Sequence, residues 1–156
     1  MKLTDVFKKE YVTIHNKAND WQEAVRISGK NMVEDGVMEP RFVDEMINAV
    51  LELGPYIALA PGIAIAHAKP ENGALKIGVS LAVFDTPINF NSVNDPIDLV
   101  FTLVATDHTS HIEVLSELAE FLCNEDNIKG IRESKSVDEI YNYFVEFENK
   151  EYQKWL

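Results

Sequence analysis

Residues 61–68 read PGIAIAHA, so His67 ends an apolar run whose neighbours carry almost no side chain. The chain holds three further histidines, His15, His108 and His111. A neutral imidazole offers one N–H donor and one lone pair, and can serve as nucleophile, proton carrier or metal ligand. Alternation along GIAIAH puts Ile63, Ile65 and His67 on one side of a strand and Ala64 and Ala66 on the other. Ala58, Ala60 and Ala68 add to the small-residue surroundings, which read as clearance for a phosphate or for another protein's backbone. The run breaks at Lys69-Pro70, so His67 is expected at a strand end, where α/β proteins usually place their sites. Position alone does not separate a reacting histidine from one satisfied by hydrogen bonds at the edge of a core.

His111 adds a second observation. Ser110-His111-Ile112-Glu113 fits a capping box, with Ser110 as N-cap and Glu113 reaching back. This places His111 in the first turn of a helix, where free backbone N–H groups and the positive end of the helix dipole favour an anion. The same field disfavours imidazolium, so His111 is expected to be neutral and able to donate one N–H. In isolation His111 also reads as an exposed residue at a helix start. A metal site would use His108, His111 and His67, but an HxxH straddling a helix cap fixes ligand geometry poorly, and neither HExxH nor a cysteine cluster accompanies it. There is no GxSxG elbow for a nucleophilic serine. His15, alternating with Tyr11 and Thr13 in YVTIHN, is expected to be a half-exposed strand residue without chemistry.

The elements that must position these residues follow from periodicity. YVTIHN, 11–16, reads as a strand. Asn19 or Asp20 caps a helix with Trp21, Ala24, Val25, Ser28 and Met32 at helical spacing, ended by Gly36. Pro40 opens a second helix with Phe42, Met46, Ile47, Val50 and Leu51 on its apolar face, and Gly54-Pro55 stops it. YIALA, GIAIAH, KIGVSLAVF and IDLVFTLVA are apolar runs of strand length, the last two continuous enough to be covered on both faces. SHIEVLSELAEFL returns to helical period, and Ser136 with Glu139 forms a capping box ahead of Val137, Ile140, Phe144 and Phe147. The order β-α-α-β-β-β-β-α-α-α predicts an α/β fold, a mixed β-sheet of about five strands with helices packed on both faces.

Composition narrows the function classes. The 156 residues suit one domain, 1–156, and 46% hydrophobic with 26% charged residues is a globular balance. The net charge of −12 argues against nucleic acid as a partner, since phosphate backbones need basic stripes. No apolar stretch approaches the roughly 20 residues of a bilayer span, and MKLTDVFKKEYV has no signal-peptide pattern, so the expected location is cytoplasmic. The single cysteine, Cys123, supports neither an internal disulfide nor a zinc cage, and reads as a small residue late in a helix. Trp155 and Leu156 are placed to dock on the same domain or on a second copy, which leaves the oligomeric state open.

Three stretches carry a resemblance: YIALAPGIAIAHAKPENG (56–73), KIGVSLAVFDTPINF (76–90) and NDPIDLVFTLVATDHTSHIEVLSELAEFL (94–122). They resemble the enzyme IIA domains of the bacterial phosphoenolpyruvate-dependent sugar phosphotransferase system, of mannitol–fructose type and nearest to its ascorbate- and galactitol-like branch. The resemblance implies a single phosphocarrier domain in which His67 accepts a phosphoryl group from phospho-HPr and passes it to a cysteine of enzyme IIB. Membrane enzyme IIC would be reached only indirectly. It further implies that His111 assists, that bonding occurs at Nε2 while Nδ1 is held by an acceptor, and that no metal or cofactor is needed. Thr109 and Ser110 are candidate phosphate contacts. The family usually has proline before the active histidine, where this chain has Ala66, and Lys69 stands where arginine is common. The alternative within the same resemblance is a regulatory relative whose phospho-state is sensed by a partner protein.

Overall fold

The computed structural model describes residues 2–154. Its elements run α1 (Leu3–Val6), β1 (Val12–His15), α2 (Trp21–Glu34), α3 (Pro40–Leu53), β2 (Ala58–Ala60), β3 (Ile63–Ala66), β4 (Gly78–Ile88), β5 (Ile97–Val104), α4 (His108–Leu122), α5 (Glu125–Glu133) and α6 (Val137–Gln153). The expected order is present throughout, with the short α1 added at the start. Among the described residues, no helix is long and apolar enough to cross a membrane. Trp155 and Leu156 lie outside the described residues.

The five strands form one mixed sheet in the order β1-β4-β5-β3-β2. β1 runs parallel to β4 and β3 parallel to β5, while β4–β5 and β2–β3 are antiparallel. β4 and β5 hold the centre. Leu81, Ala82, Leu99, Val100, Phe101 and Leu103 are fully buried, as continuous apolar strands must be when both faces are covered.

Alternate residues of β5 show what covers each face. Thr102 faces α2: its hydroxyl meets the Ser28 hydroxyl at 2.9 Å, and Ser28 donates to the Val100 carbonyl, also at 2.9 Å. Ser80 of β4 donates to the Ser28 carbonyl at 2.6 Å. Phe101 faces the other way and meets Phe144 of α6 edge-on at 6.4 Å. Phe144 in turn stacks on Phe121 of α4 at 4.0 Å and meets Phe7 at 4.6 Å. The helix pair α2–α3 therefore covers one face, and α4 with α6 the other.

The helix boundaries have local causes. Asp20 caps α2 by accepting from the Glu23 N–H at 2.8 Å, Pro40 is the first residue of α3, and Gly54 ends α3 at φ 89°, a conformation only glycine adopts without cost. Ser136 accepts from the Glu139 N–H at 3.2 Å ahead of α6, but the Glu139 carboxylate returns to the Lys135 N–H, one residue earlier than a strict capping box. Leu51, expected on the apolar face of α3, is instead 64% exposed.

Ala64 and Ala66 are not clearance for a partner, whereas Ala68 lines a cavity beside His67. Ala64 pairs with Val100 and Ala66 with Thr102, so both share the α2 side of the sheet, and both are fully buried. Small side chains there leave no bulk on the side of the sheet that α2 covers. Ile63 and Ile65 point to the opposite side, toward Leu115 and Ala119 of α4. Replacing Ser28 with Ala strands the buried Thr102 hydroxyl under α2. The expected loss is about 1–3 kcal/mol of folding stability, read by chemical denaturation. An unchanged midpoint would remove this hydroxyl cluster from the forces that seat α2.

Candidate functional site

His67 follows the last residue of β3, where the strand has left the sheet but its direction is still set. The alternation that sends Ile63 and Ile65 toward α4 sends His67 there too. Its Nδ1 lies 2.9 Å from the carbonyl oxygen of Ile65. A carbonyl can only accept, so Nδ1 carries the hydrogen and Nε2 carries the lone pair. The chain thus fixes the tautomer by a bond two residues back along the same strand.

β5 ends at Val104, and the chain turns through Ala105-Thr106-Asp107 into α4. The N-cap of this helix is Asp107 and not Ser110. Asp107 is extended, at φ −153° and ψ 170°, and its carboxylate accepts from the Ser110 N–H at 2.7 Å and from the Ser110 hydroxyl at 3.1 Å. A carboxylate makes the stronger, charge-assisted cap, so the helix begins three residues earlier than the Ser110–Glu113 pattern implies. The bonds from Ser110 hold the Asp107 carboxyl below the usual carboxylate range. His111 becomes the fourth helical residue, still in the first turn, with its own N–H bonded to the Asp107 carbonyl at 3.1 Å.

The two histidines meet. The His67 and His111 rings lie 5.6 Å apart between centroids, tilted by 54°. Both are half-buried. Burial pushes the His111 imidazole below the ordinary histidine range, with the positive charges available to His67 and His108 adding to the effect. His111 is therefore neutral at pH 7, as the helix position suggested, although burial is the leading cause.

On its other side His67 meets Tyr56, ring centroids 5.3 Å apart and planes at 84°, an edge-to-face arrangement. Tyr56 was missed by sequence reasoning, which took YIALA as a strand throughout. The strand begins only at Ala58, and Tyr56 sits in the turn between Gly54-Pro55 and β2. No short-range signal marks it: the antiparallel pairing Ala58↔Ala64 brings the residues before β2 beside those after β3.

These residues open onto one cavity of about 1040 Å³. His67, His111, His108, Tyr56 and Lys69 line it, together with Glu45, Asn48, Glu52 and Leu53 from α3 and Glu71 from the loop after β3. That loop is tied to α3 by Arg41, whose guanidinium donates to the Glu71 carbonyl at 3.2 Å. Thr109 and Ser110 are not among the lining residues, and the Ser110 donors are engaged by Asp107. His15 lies on β1, separated from β3 by β5 and β4; it bonds Thr13 at 2.8 Å and stacks on Phe84. Cys123 is exposed at the end of α4. Among the described residues, no group of three or more His, Cys, Asp or Glu side chains is arranged to hold a metal ion.

The family model described as phosphoenolpyruvate-dependent sugar phosphotransferase system, EIIA 2, matches residues 5–147. The mannitol-specific cryptic phosphotransferase enzyme IIA component of Escherichia coli K12 is 34% identical over 136 residues, 87% of this chain and 92% of that one. The ascorbate-specific EIIA component of Salmonella typhimurium LT2 is 35% identical over 143 residues, 90% and 93% of the two chains. Among solved structures, the mannitol-specific cryptic enzyme IIA of E. coli superposes with a TM-score of 0.86 at 32% identity, covering 92% of this chain and 98% of that one. The enzyme IIA of an E. coli complex of IIA mannitol with phosphorylated IIB mannitol gives a TM-score of 0.78 at 28% identity, covering 90% and 99%. The chain belongs to the EIIA 2 family of the phosphoenolpyruvate-dependent sugar phosphotransferase system, a phosphotransferase component.

Proposed function

We propose that the chain acts as one cytoplasmic carrier domain, with His67 taking a phosphoryl group from the phosphohistidine of HPr and giving it to a cysteine thiolate of an enzyme IIB. The observation that carries this reading is the bond from His67 Nδ1–H to the Ile65 carbonyl, which leaves Nε2 as the nucleophilic nitrogen at the rim of an open cavity. In the first step the N–P bond of the donor breaks, its imidazole leaves with the electron pair, and Nε2 of His67 forms the new N–P bond. In the second step the thiolate sulfur attacks phosphorus and His67 leaves as neutral imidazole, its Nδ1–H unchanged. The enzyme IIA relative solved with phosphorylated IIB supports IIB as the acceptor partner.

Such transfer depends on positioning and electrostatics more than on bond-making groups of the protein. The cavity opposes a phosphoryl dianion through Glu45, Glu52, Glu71 and Asp107, against one lysine, Lys69. His111 offsets this as a neutral donor beside His67, and Lys69 supplies the nearest fixed positive charge in the lining. Thr109 and Ser110 can serve the phosphoryl oxygens where these displace the Asp107 carboxylate from the first turn. No metal or cofactor enters the scheme.

His67→Ala and His67→Gln are expected to take up no phosphate from phosphoenolpyruvate, enzyme I and HPr, read by intact mass. A full phosphate shift in either variant would sink the assignment. His111→Ala should still accept phosphate but pass it to IIB more slowly, on the order of ten- to a hundredfold; unchanged transfer would remove His111 from the site. Histidine NMR should find His111 titrating below the ordinary 6.5. Protonating it is harder in the fold than in the unfolded chain, so its contribution to stability is present above pH 6.5 and is lost as pH falls below that value. A midpoint at or above 6.5 contradicts the neutral donor.

A further inference from the structure

Resting on the reading of His67 as phosphoryl acceptor, we infer that Tyr56 is a positioning residue whose ring, set edge-to-face against His67, holds the imidazole in the plane where Nδ1 stays on the Ile65 carbonyl.

A single hydrogen bond does not fix a ring. An imidazole bonded through Nδ1 can still swing about that bond, or flip about Cβ–Cγ so that Cδ2 replaces Nδ1 at the carbonyl; Nδ1 then loses the acceptor that holds its proton, and nothing enforces the tautomer that leaves Nε2 free. His67 stands past the last residue of β3, where the ladder no longer restrains it. Two rings flank it: His111 on the α4 side at 5.6 Å and Tyr56 at 5.3 Å. His111 has a donor role of its own, but Tyr56 does not need one. Among the described residues its hydroxyl makes no hydrogen bond, so the ring is what reaches His67.

Tyr56 is itself well placed to hold. Its N–H donates to the Gly54 carbonyl at 2.8 Å, and the Ala58 N–H donates to the Pro55 carbonyl at 3.1 Å. One residue on, the Ile65 N–H donates to the Ile57 carbonyl at 2.9 Å, coupling this turn to the residue whose own carbonyl holds His67. Tyr56 is 36% exposed and lines the cavity. Edge-to-face contact is directional, unlike simple filling of space, so an aliphatic side chain of similar volume would not define the same plane.

The test uses the full chain with Tyr56→Ala, Tyr56→Leu and Tyr56→Phe, each checked for fold by circular dichroism. Two readouts are taken: the rate of phosphate uptake from phospho-HPr, and the ¹⁵N shifts of the His67 ring in the unphosphorylated protein, which report the tautomer. The expected result is a His67 held as the Nδ1–H tautomer in the parent and in Tyr56→Phe, with mixed tautomers in the Ala and Leu variants. Uptake should fall on the order of ten- to a hundredfold in those two and be restored by Phe. Unmoved tautomers in both the Ala and Leu variants overturn the proposal, whatever the rates. So does failure of Phe to rescue, which would assign the effect to the hydroxyl. If the parent takes no phosphate on His67, the carrier reading falls instead, and the nitrogen shifts still decide whether Tyr56 holds the ring. Should the Ala variant not fold, the Leu and Phe pair gives the same decision.

Discussion

The parallel pairing of β3 with β5 is the constraint from which the site follows. Parallel neighbours end at the same edge of a sheet, so the C-terminal ends of these strands lie side by side. β3 delivers His67 at that edge, and β5 delivers the turn that starts α4 and, four residues into the helix, His111. Their rings meet at 5.6 Å although 44 positions separate them in the chain. Had β3 and β5 been antiparallel, the same residues would lie at opposite ends of the sheet. The β4–β5 core fixes this arrangement by burying both strands on both faces, and the Phe144–Phe121 stack seats α4 above them.

Within that frame, the local chemistry divides the work among groups that do not compete. The Ile65 carbonyl takes the Nδ1 proton of His67 and so decides which nitrogen is free. Burial, with nearby histidines, keeps His111 neutral, so two imidazoles can stand together without mutual repulsion. Asp107 occupies donors of the first turn of α4. The helix end that reads in sequence as an open anion site is therefore already capped by the protein's own carboxylate. An incoming phosphoryl group depends correspondingly more on His111 and Lys69.

Much of this is legible in the sequence. The element order, the capping of α2 and the proline start of α3 follow from rules that act over a few residues. The faces of β3 were legible for the same reason: alternation put Ile63, Ile65 and His67 together. What alternation could not say was which face met which helices. Small side chains alone suggest outward clearance, and Ala64 and Ala66 lie instead on the buried side that faces α2. The α4 cap was misplaced because Asp107 and Ser110 are both acceptable caps, and only the charge of one and the path of the chain out of β5 decide between them. Tyr56 was overlooked because its role depends on a hairpin register that no short-range rule supplies.

By itself the sequence determined the kinds of element, their order, the chemistry available at His67 and His111, and the family to which those stretches belong. These are set by side-chain type and by spacings of two to four residues, which the chain carries locally. Only the tertiary structure decided the meeting of the two histidines, the tautomer of His67, the contact with Tyr56 and the acidic lining that α3 contributes to the cavity. Each of those requires residues tens of positions apart to be brought within a few ångströms. That proximity is a property of strand pairing and helix packing, which no single stretch of the chain contains.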